Sequence, residues 1–240
     1  MIKSIDYKVG LGNEIIRDKW VIKTLKNLKT GLNLLDAGAG EGKYRQDCRH
    51  LKYTSQDFLG YDGRGDGRGL QTHKWDYRQI DIVSDIVNIP KPNRSFDAVL
   101  CTEVFEHIPD PISALKEFHR LLKPGGKLVL TAPFCSLTHM SPYHYYTDFN
   151  AYFYKYWLEK LGFKIQKIKI NGNYFEYLAQ ELRRLHDVVS GYTDLRYITT
   201  IIRLATVPLL FLCQLASNHD KQNSGSLLCF GYHILAEKQI

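Results

Sequence analysis

The chain has 240 residues, 44% of them hydrophobic and 24% charged, which suits one α/β domain with insertions and a sizeable core better than two full domains. Its net charge of +7 permits attraction to nucleic acid or an anionic membrane without requiring it, because no block of five or more like charges occurs. The five cysteines, Cys48, Cys101, Cys135, Cys213 and Cys229, are odd in number and form no C-x-x-C pair, which argues against a disulfide framework or a cysteine-based zinc site.

Residues 1–31 read as a leader with a helix around Glu14–Leu28. Met1 to Trp20 mixes charged and apolar residues and has no secretory core, so a cytoplasmic location with reduced thiols is the expectation. From Leu32 short apolar runs alternate with helical stretches, the pattern of a mostly parallel sheet covered on both faces. Strands are expected near Asn33–Asp36, Tyr53–Asp57, Ile80–Ser84, Ala98–Thr102, Lys127–Thr131, Phe163–Ile170 and Leu227–Glu237. Helices are expected over Lys43–Leu51, Ile112–Leu122 and Ala151–Leu161, with Lys123-Pro124-Gly125-Gly126 stopping the second of them.

Tyr61–Trp75 holds the run Asp62-Gly63-Arg64-Gly65-Asp66-Gly67-Arg68-Gly69 and reads as a mobile surface loop near a ligand pocket. It lacks the terminal Glu of a calcium loop and the length of an RNA-binding Arg-Gly tract. Residues 171–225 form an insertion between the sixth and seventh strands, with a helix over Tyr174–Ser190 and then the long apolar run Ile198–Ala216. Arg203, Pro208 and Gln214 in that run disfavour a spanning helix. Packing on the core, a homodimer contact or a helix lying on a membrane surface remain open for it.

The first strand runs into Asp36-Ala37-Gly38-Ala39-Gly40-Glu41-Gly42. Glycines let a backbone turn tightly beside a ligand, and Asp57, 21 residues after Asp36, stands where an acid can accept both hydroxyls of a ribose. The spacing is G-x-G-x-G, and Lys43 occupies the place of the third Gly in a G-x-G-x-x-G dinucleotide fingerprint. A pyrophosphate cradle is therefore disfavoured, and Asp36 favours a cationic ligand.

Leu34–Gly42 resembles the first motif of class I S-adenosylmethionine-dependent methyltransferases, Ser95–Pro111 resembles the fourth-strand motif of their type-11 family, and Leu121–Leu130 resembles its fifth-strand entry. The matches run in order over about residues 32–170. The resemblance implies an α/β Rossmann-like sheet of seven strands, mostly parallel with the last antiparallel, helices on both faces, and S-adenosylmethionine as cofactor. It implies that Gly38, Gly40 and Gly42 shape the turn beside the methionine moiety, Asp57 holds the ribose and Phe58 borders the adenine. Asp85 would meet the adenine amino group with Ile86 on the ring, while Cys101, Thr102 and Glu103 would line the end of the fourth strand. A plain reading of Cys101 as a small core residue, and of His107 as a brace for the strand-to-helix turn, stays open.

Acceptor-side residues are sought after the fifth strand, in Ala132–Tyr146. His139 and His144 are candidate general bases because imidazole titrates near neutral pH, and Tyr143, Tyr145 and Tyr146 are candidate walls for the acceptor. The pair His139 and His144 has no third ligand nearby in sequence, so no metal is expected. The fourth strand lacks the Asn/Asp-Pro-Pro-Tyr pattern of nucleobase amino-methylating relatives, and no Pro-Cys nucleophile occurs, which speaks against nucleic acid. The expected function is methyl transfer to a small-molecule or sugar- or lipid-linked acceptor. The alternatives are a non-catalytic binding protein of the same fold and a methyltransferase peripheral to a membrane through Ile198–Ala216.

Overall fold

A computed structural model describes residues 8–239, so the opening of the expected leader, residues 1–7, lies outside the described residues. Seven strands make one sheet: β1 Asn33–Ala37, β2 Lys52–Asp57, β3 Ile82–Val83, β4 Phe96–Thr102, β5 Leu122–Pro133, β6 Phe163–Asn171 and β7 Gly231–Lys238. Their spatial order is β3-β2-β1-β4-β5-β7-β6. The first five strands pair in parallel, and β7 runs antiparallel to β5, with Leu128 opposite Ala236 and Leu130 opposite Ile234. The expected α/β architecture is therefore present, reversed last strand included. A parallel sheet with helices on both faces needs strands that are apolar on both faces. Leu34, Leu35, Ala98, Val99, Leu100, Leu128, Val129 and Leu130 meet that need and are fully buried.

The helices are α1 Asn13–Lys26, α2 Pro111–Leu121, α3 Ala151–Lys160, α4 Tyr174–Tyr192 and α5 Thr199–Asn218. Local chemistry sets their starts. The Asp110 side chain accepts the Ser113 N–H with Pro111 just inside α2, and Asn150 accepts the Tyr152 and Phe153 N–H groups at the start of α3. Ala114, Leu115, Phe118 and Leu121 form the buried stripe of α2.

Three sequence expectations change. Residues 43–51 form no α-helix, only a 3-10 turn over Arg45–Cys48. Nine residues must cover the return to β2, and several are held by outside partners: Tyr44 donates to Asp18 (2.8 Å) and Arg45 to Ser55 Oγ (2.9 Å). A helical nucleus has little left to propagate into. The Lys123–Gly126 turn is an irregularity inside β5, since Leu122 pairs with Phe96 and Lys127 with Ala98. The last strand begins at Gly231, because Ser224–Ser226 forms a 3-10 turn ahead of it.

The chain divides into two compact units, one of residues 18–169 with 231–239 and one of residues 8–17 with 170–230. The first holds nearly all of the sheet. In the second, α4 and α5 pack together and the leader returns to them. Val9 is buried with Ala179, Leu210 and Cys213. Val9 N–H donates to Gln214 Oε1 (3.1 Å), Gly10 N–H to Glu176 Oε2 (2.7 Å), and Arg183 Nε to the Val9 carbonyl (2.9 Å). Gly10 sits at φ +79°, and a Cβ there would lie 2.5 Å from Gln180 N, so only glycine allows this approach to α4. Gly10→Ala should lower the unfolding free energy by about 1–3 kcal/mol, read by urea unfolding with circular dichroism. Unaltered stability would mean that the leader does not dock on α4.

Candidate active site

The turn after β1 is built by close approach. Gly38 and Gly40 have φ of +70° and +53°, and a Cβ on them would lie 2.6 Å from Val104 Cγ2 and 2.9 Å from the Trp75 ring. The turn is tied to β2 by hydrogen bonds: Ala39 N–H donates to the Gln56 carbonyl (2.9 Å), Gly38 N–H to Gln56 Oε1 (3.3 Å) and Gly40 N–H to Asp57 Oδ2 (2.9 Å). Asp57 Oδ1 accepts a second backbone N–H, from Leu59 (2.9 Å). Burial pushes the Asp57 carboxyl above its ordinary pKa, against the pull of these backbone donors.

A cavity of about 510 Å³ opens beside this turn, within the range usual for small-molecule sites. It lies at the carboxyl ends of β1, β2 and β4, where β1 separates two halves of a sheet wound in opposite senses. Of the residues named from sequence, Gly38, Asp57, Phe58, Asp85, Ile86, Glu103, Tyr143 and Tyr145 line it. Asp36, Gly40, Gly42, Cys101, Thr102, Tyr146, His139 and His144 are not among its lining residues.

Each of the latter has a place. Asp36 is 2% exposed and accepts the Tyr53 hydroxyl. Gly42 N–H closes the glycine turn on the Ala39 carbonyl (2.9 Å). Cys101 is fully buried, and burial pushes its thiol well above the usual range, as for a core residue. Thr102 is half-buried at the end of β4, paired with Thr131. Tyr146 donates to the Pro109 carbonyl (3.0 Å) and packs on Phe149.

Sequence reading missed Gln56, Trp75, Val104 and Met140 and weighed His107 as a brace for the strand-to-helix turn, yet all five reach the cavity. Val104 and His107 sit inside the fourth-strand motif already singled out, whereas no local spacing flags Trp75. It arrives through the Asp-Gly-Arg loop, which is tied down on the segment after β5. Asp66 N–H donates to the Ser141 carbonyl (3.0 Å), Leu70 N–H to Thr138 (2.9 Å), and Met140 N–H back to Leu70 (2.9 Å). Asp62 stiffens the loop by accepting the Arg64 and Gly65 N–H groups.

Glu103 has φ +52°, a strained geometry for a non-glycine residue. Thr131 fixes it: its Oγ1 donates to Glu103 Oε1 (2.8 Å), and its carbonyl accepts the Glu103 N–H (2.9 Å). Next to it, Glu106, His107, His139 and His144 form one cluster. The His139 ring centroid lies 4.7 Å from both His107 and His144. Glu106 is 1% exposed, and its Oε1 stands 3.8 Å from Nε2 of both His107 and His139. Burial pushes the Glu106 carboxyl up, but the two imidazoles hold it below its ordinary value. Burial lowers His139, while Glu106 and the Leu137 carbonyl outweigh it and raise that ring. Burial lowers His107, and burial with the neighbouring imidazoles brings His144 to about 4.

Desolvation raises Asp36 to about 6, with the Asp57 charge adding to the shift and the Tyr53 hydroxyl opposing it. The fold thus prefers the protonated acid. Its contribution to stability is full below pH 3.8 and lost as pH rises through about 6. Across that window Asp36→Asn should flatten a fall of roughly 2–3 kcal/mol in unfolding free energy, measured by urea titration at a series of pH values. An equal slope in both proteins would place the proton elsewhere.

A family profile described as a methyltransferase domain matches residues 13–168. A tRNA U34 carboxymethyltransferase from Nautilia profundicola is 30% identical over 190 residues, covering 72% of this chain and 60% of that protein. A ubiquinone biosynthesis O-methyltransferase from Xanthomonas oryzae pv. oryzae is 48% identical over 105 residues, covering 42% of this chain and 43% of that protein. Matches of this kind span 23% to 60% of the length of the curated relatives. Among solved structures, phosphoethanolamine N-methyltransferase 2 of Haemonchus contortus in complex with S-adenosyl-L-methionine is similar over 93% of this chain and 52% of its own, at TM-score 0.51 and 17% identity, a likeness of fold. The chain belongs to the methyltransferase domain family, a family of class I S-adenosylmethionine methyltransferases.

Proposed function

We propose that the chain transfers a methyl group from S-adenosylmethionine to a small-molecule or sugar- or lipid-linked acceptor. The observation that carries this reading is the cavity itself. One wall is acidic and glycine-turned, with Gly38, Asp57, Asp85, Ile86 and Glu103, and the other holds His107, Met140, Tyr143 and Tyr145. The first wall suits a cationic ligand with a ribose. Each Asp57 oxygen accepts one backbone N–H and keeps a second lone pair, so the carboxylate can still accept a diol. Phe58 and Ile86 give apolar faces for an adenine ring, and Asp85 an acceptor for its amino group. When bound, the cofactor supplies a methyl group on a sulfonium, a good leaving group, so positioning can carry much of the acceleration.

The second wall is the acceptor side. Tyr143 and Tyr145 face it, whereas Tyr146 serves the fold through Pro109. His107 reaches the cavity, with His139 and His144 at ring-centroid distances of 4.7 and 5.9 Å. The cluster therefore meets an acceptor at His107, with His139 and His144 behind it rather than each acting alone.

One observation favours a second reading, a methyltransferase that works at a membrane surface. Within the helical stretch Arg196–Asn218 an 18-residue window reaches a mean hydropathy of 1.8, long and apolar enough to cross a membrane by length and composition. Ile201, Leu204, Phe211, Leu212 and Leu215 on it are exposed. A lipid-linked acceptor would suit such a face.

Calorimetry on the pure protein should show S-adenosylmethionine binding, and Asp57→Ala should weaken it by roughly 1–3 kcal/mol through lost hydrogen bonds to a charged group. Unchanged affinity would displace the ribose site. Incubation with labelled cofactor and fractionated extract should put the label in the small-molecule or lipid fraction. Label in the RNA fraction would overturn the acceptor class, and binding without any transfer would mean a non-catalytic protein. Flotation with anionic liposomes should carry the chain upward if the second reading holds, and Leu204→Glu with Leu212→Glu should abolish it.

A further inference from the structure

The cluster of Glu106, His107 and His139 poses an electrostatic problem that its own residues leave open. His107 Nδ1 lies 2.7 Å from the Tyr143 carbonyl, and His139 Nδ1 lies 2.8 Å from the Leu137 carbonyl. A carbonyl only accepts, so both Nδ1 atoms carry hydrogen and, in neutral rings, both Nε2 atoms are bare lone pairs. Those two lone-pair nitrogens are the atoms that stand 3.8 Å from Glu106 Oε1. The distance is too long for a hydrogen bond. Glu106 Oε2 has no hydrogen-bond partner among the described residues either, although the residue is 1% exposed. Three electron-rich atoms thus converge on one buried point beside the cavity, and a buried carboxylate with no cation on it is costly.

We propose that this point is a binding site for one divalent transition metal ion, zinc by the nature of its donors, held by Glu106, His107 Nε2 and His139 Nε2. Two imidazoles and a carboxylate form a donor set that zinc accepts with a further position left open. The three ligand atoms lie within 4.8 Å of one another. Bonds of about 2.1 Å at tetrahedral angles set ligand atoms roughly 3.4 Å apart, so side-chain shifts of about 1 Å or less would close the site. The carbonyls on both Nδ1 atoms are the outer partners that fix a metal-binding histidine in the right tautomer. Because His107 also lines the cavity, the open position is on the acceptor side. An acceptor hydroxyl seated there would release its proton to water more readily, a role that rests on the methyltransferase reading. Metal binding itself does not rest on it.

A proton on His139 Nε2 would meet the same charge demand, and the test separates the two. Chelator-stripped protein, without cofactor, is titrated with Co²⁺ and followed by visible absorption and by bound metal per chain. One equivalent should bind with a d–d band, and Zn²⁺ should displace it. Glu106→Gln and His139→Gln should each weaken binding at least about tenfold with unchanged circular dichroism, while His219→Ala, at an exposed histidine, should bind as the wild type does. His139 is partly exposed, so its variant serves should the buried Glu106 variant fail to fold. Folded protein that takes up no Co²⁺ at millimolar concentration, or His139→Gln binding as tightly as wild type, would overturn the proposal and leave the proton as the cation. Because the readout is the metal alone, failure here leaves the methyltransferase reading standing.

Discussion

The hydrogen bond from Gly40 N–H to the Asp57 carboxylate is the constraint on which the site depends. It joins the turn after β1 to the end of β2, and so fixes the acidic group and the glycine backbone as one rigid edge. The turn can come this close only because Gly38 and Gly40 adopt positive φ and leave room for Val104 and Trp75. Those two residues arrive from β4 and from the Asp-Gly-Arg loop. One backbone contact therefore gathers four separate stretches of chain around a single cavity. The cost is two buried acids: burial raises the demand of Asp36 and Asp57 for a proton, the Asp57 charge adds to that of Asp36, and the Tyr53 hydroxyl and backbone N–H groups offset only part of it. A cationic ligand bound against this edge would relieve the same strain.

What was legible in the sequence was what local chemistry decides. Strand positions followed from apolar runs, and α2 and α3 lie within one residue of the expected Ile112–Leu122 and Ala151–Leu161. The first wall of the cavity was legible for the same reason, since Gly38, Asp57 and Ile86 sit in or just after short motifs at strand ends. The helix expected at Lys43–Leu51 failed because Tyr44 and Arg45 are claimed by Asp18 and Ser55, partners that periodicity does not see. Trp75 was invisible because the loop carrying it is placed by backbone bonds to Thr138 and Ser141, and backbone bonds leave no signature in side-chain pattern.

The histidine cluster shows the same limit from the other direction. His139 and His144 were noticed together because they are near in sequence, and a metal was set aside because no third ligand stood beside them. The third and fourth groups are Glu106 and His107, 32 residues before His139 in the case of His107. Tyr145 and Tyr146 N–H both donate to the Glu106 carbonyl, and His107 meets the Tyr143 carbonyl. These bonds fold the segment after β5 back over the end of β4, and that fold-back makes a cluster from residues that spacing keeps apart.

The two walls of the cavity are built in different ways. The wall with Gly38, Asp57 and Glu103 hangs on strand ends, where sheet register leaves little freedom. Met140, Tyr143 and Tyr145 of the other wall sit on the loop of residues 135–148, which the loop of residues 62–75 holds through three backbone hydrogen bonds. Gly65 and Gly69 cannot change, because a Cβ there would lie 1.8 Å and 2.4 Å from the Ser141 and Thr138 carbonyls that accept these bonds, whereas Tyr143 and Tyr145 make none of the three and can vary in chemistry while the placement of the wall persists. Loops on a rigid scaffold are where specificity can change without loss of the fold. Phe58 and Tyr143, in edge contact at 5.1 Å, mark the seam between the two walls. Glu103 also lines the cavity, where its strained backbone and the Thr131 hydroxyl that donates to it keep a carboxylate in a position that relaxation to an ordinary conformation would remove.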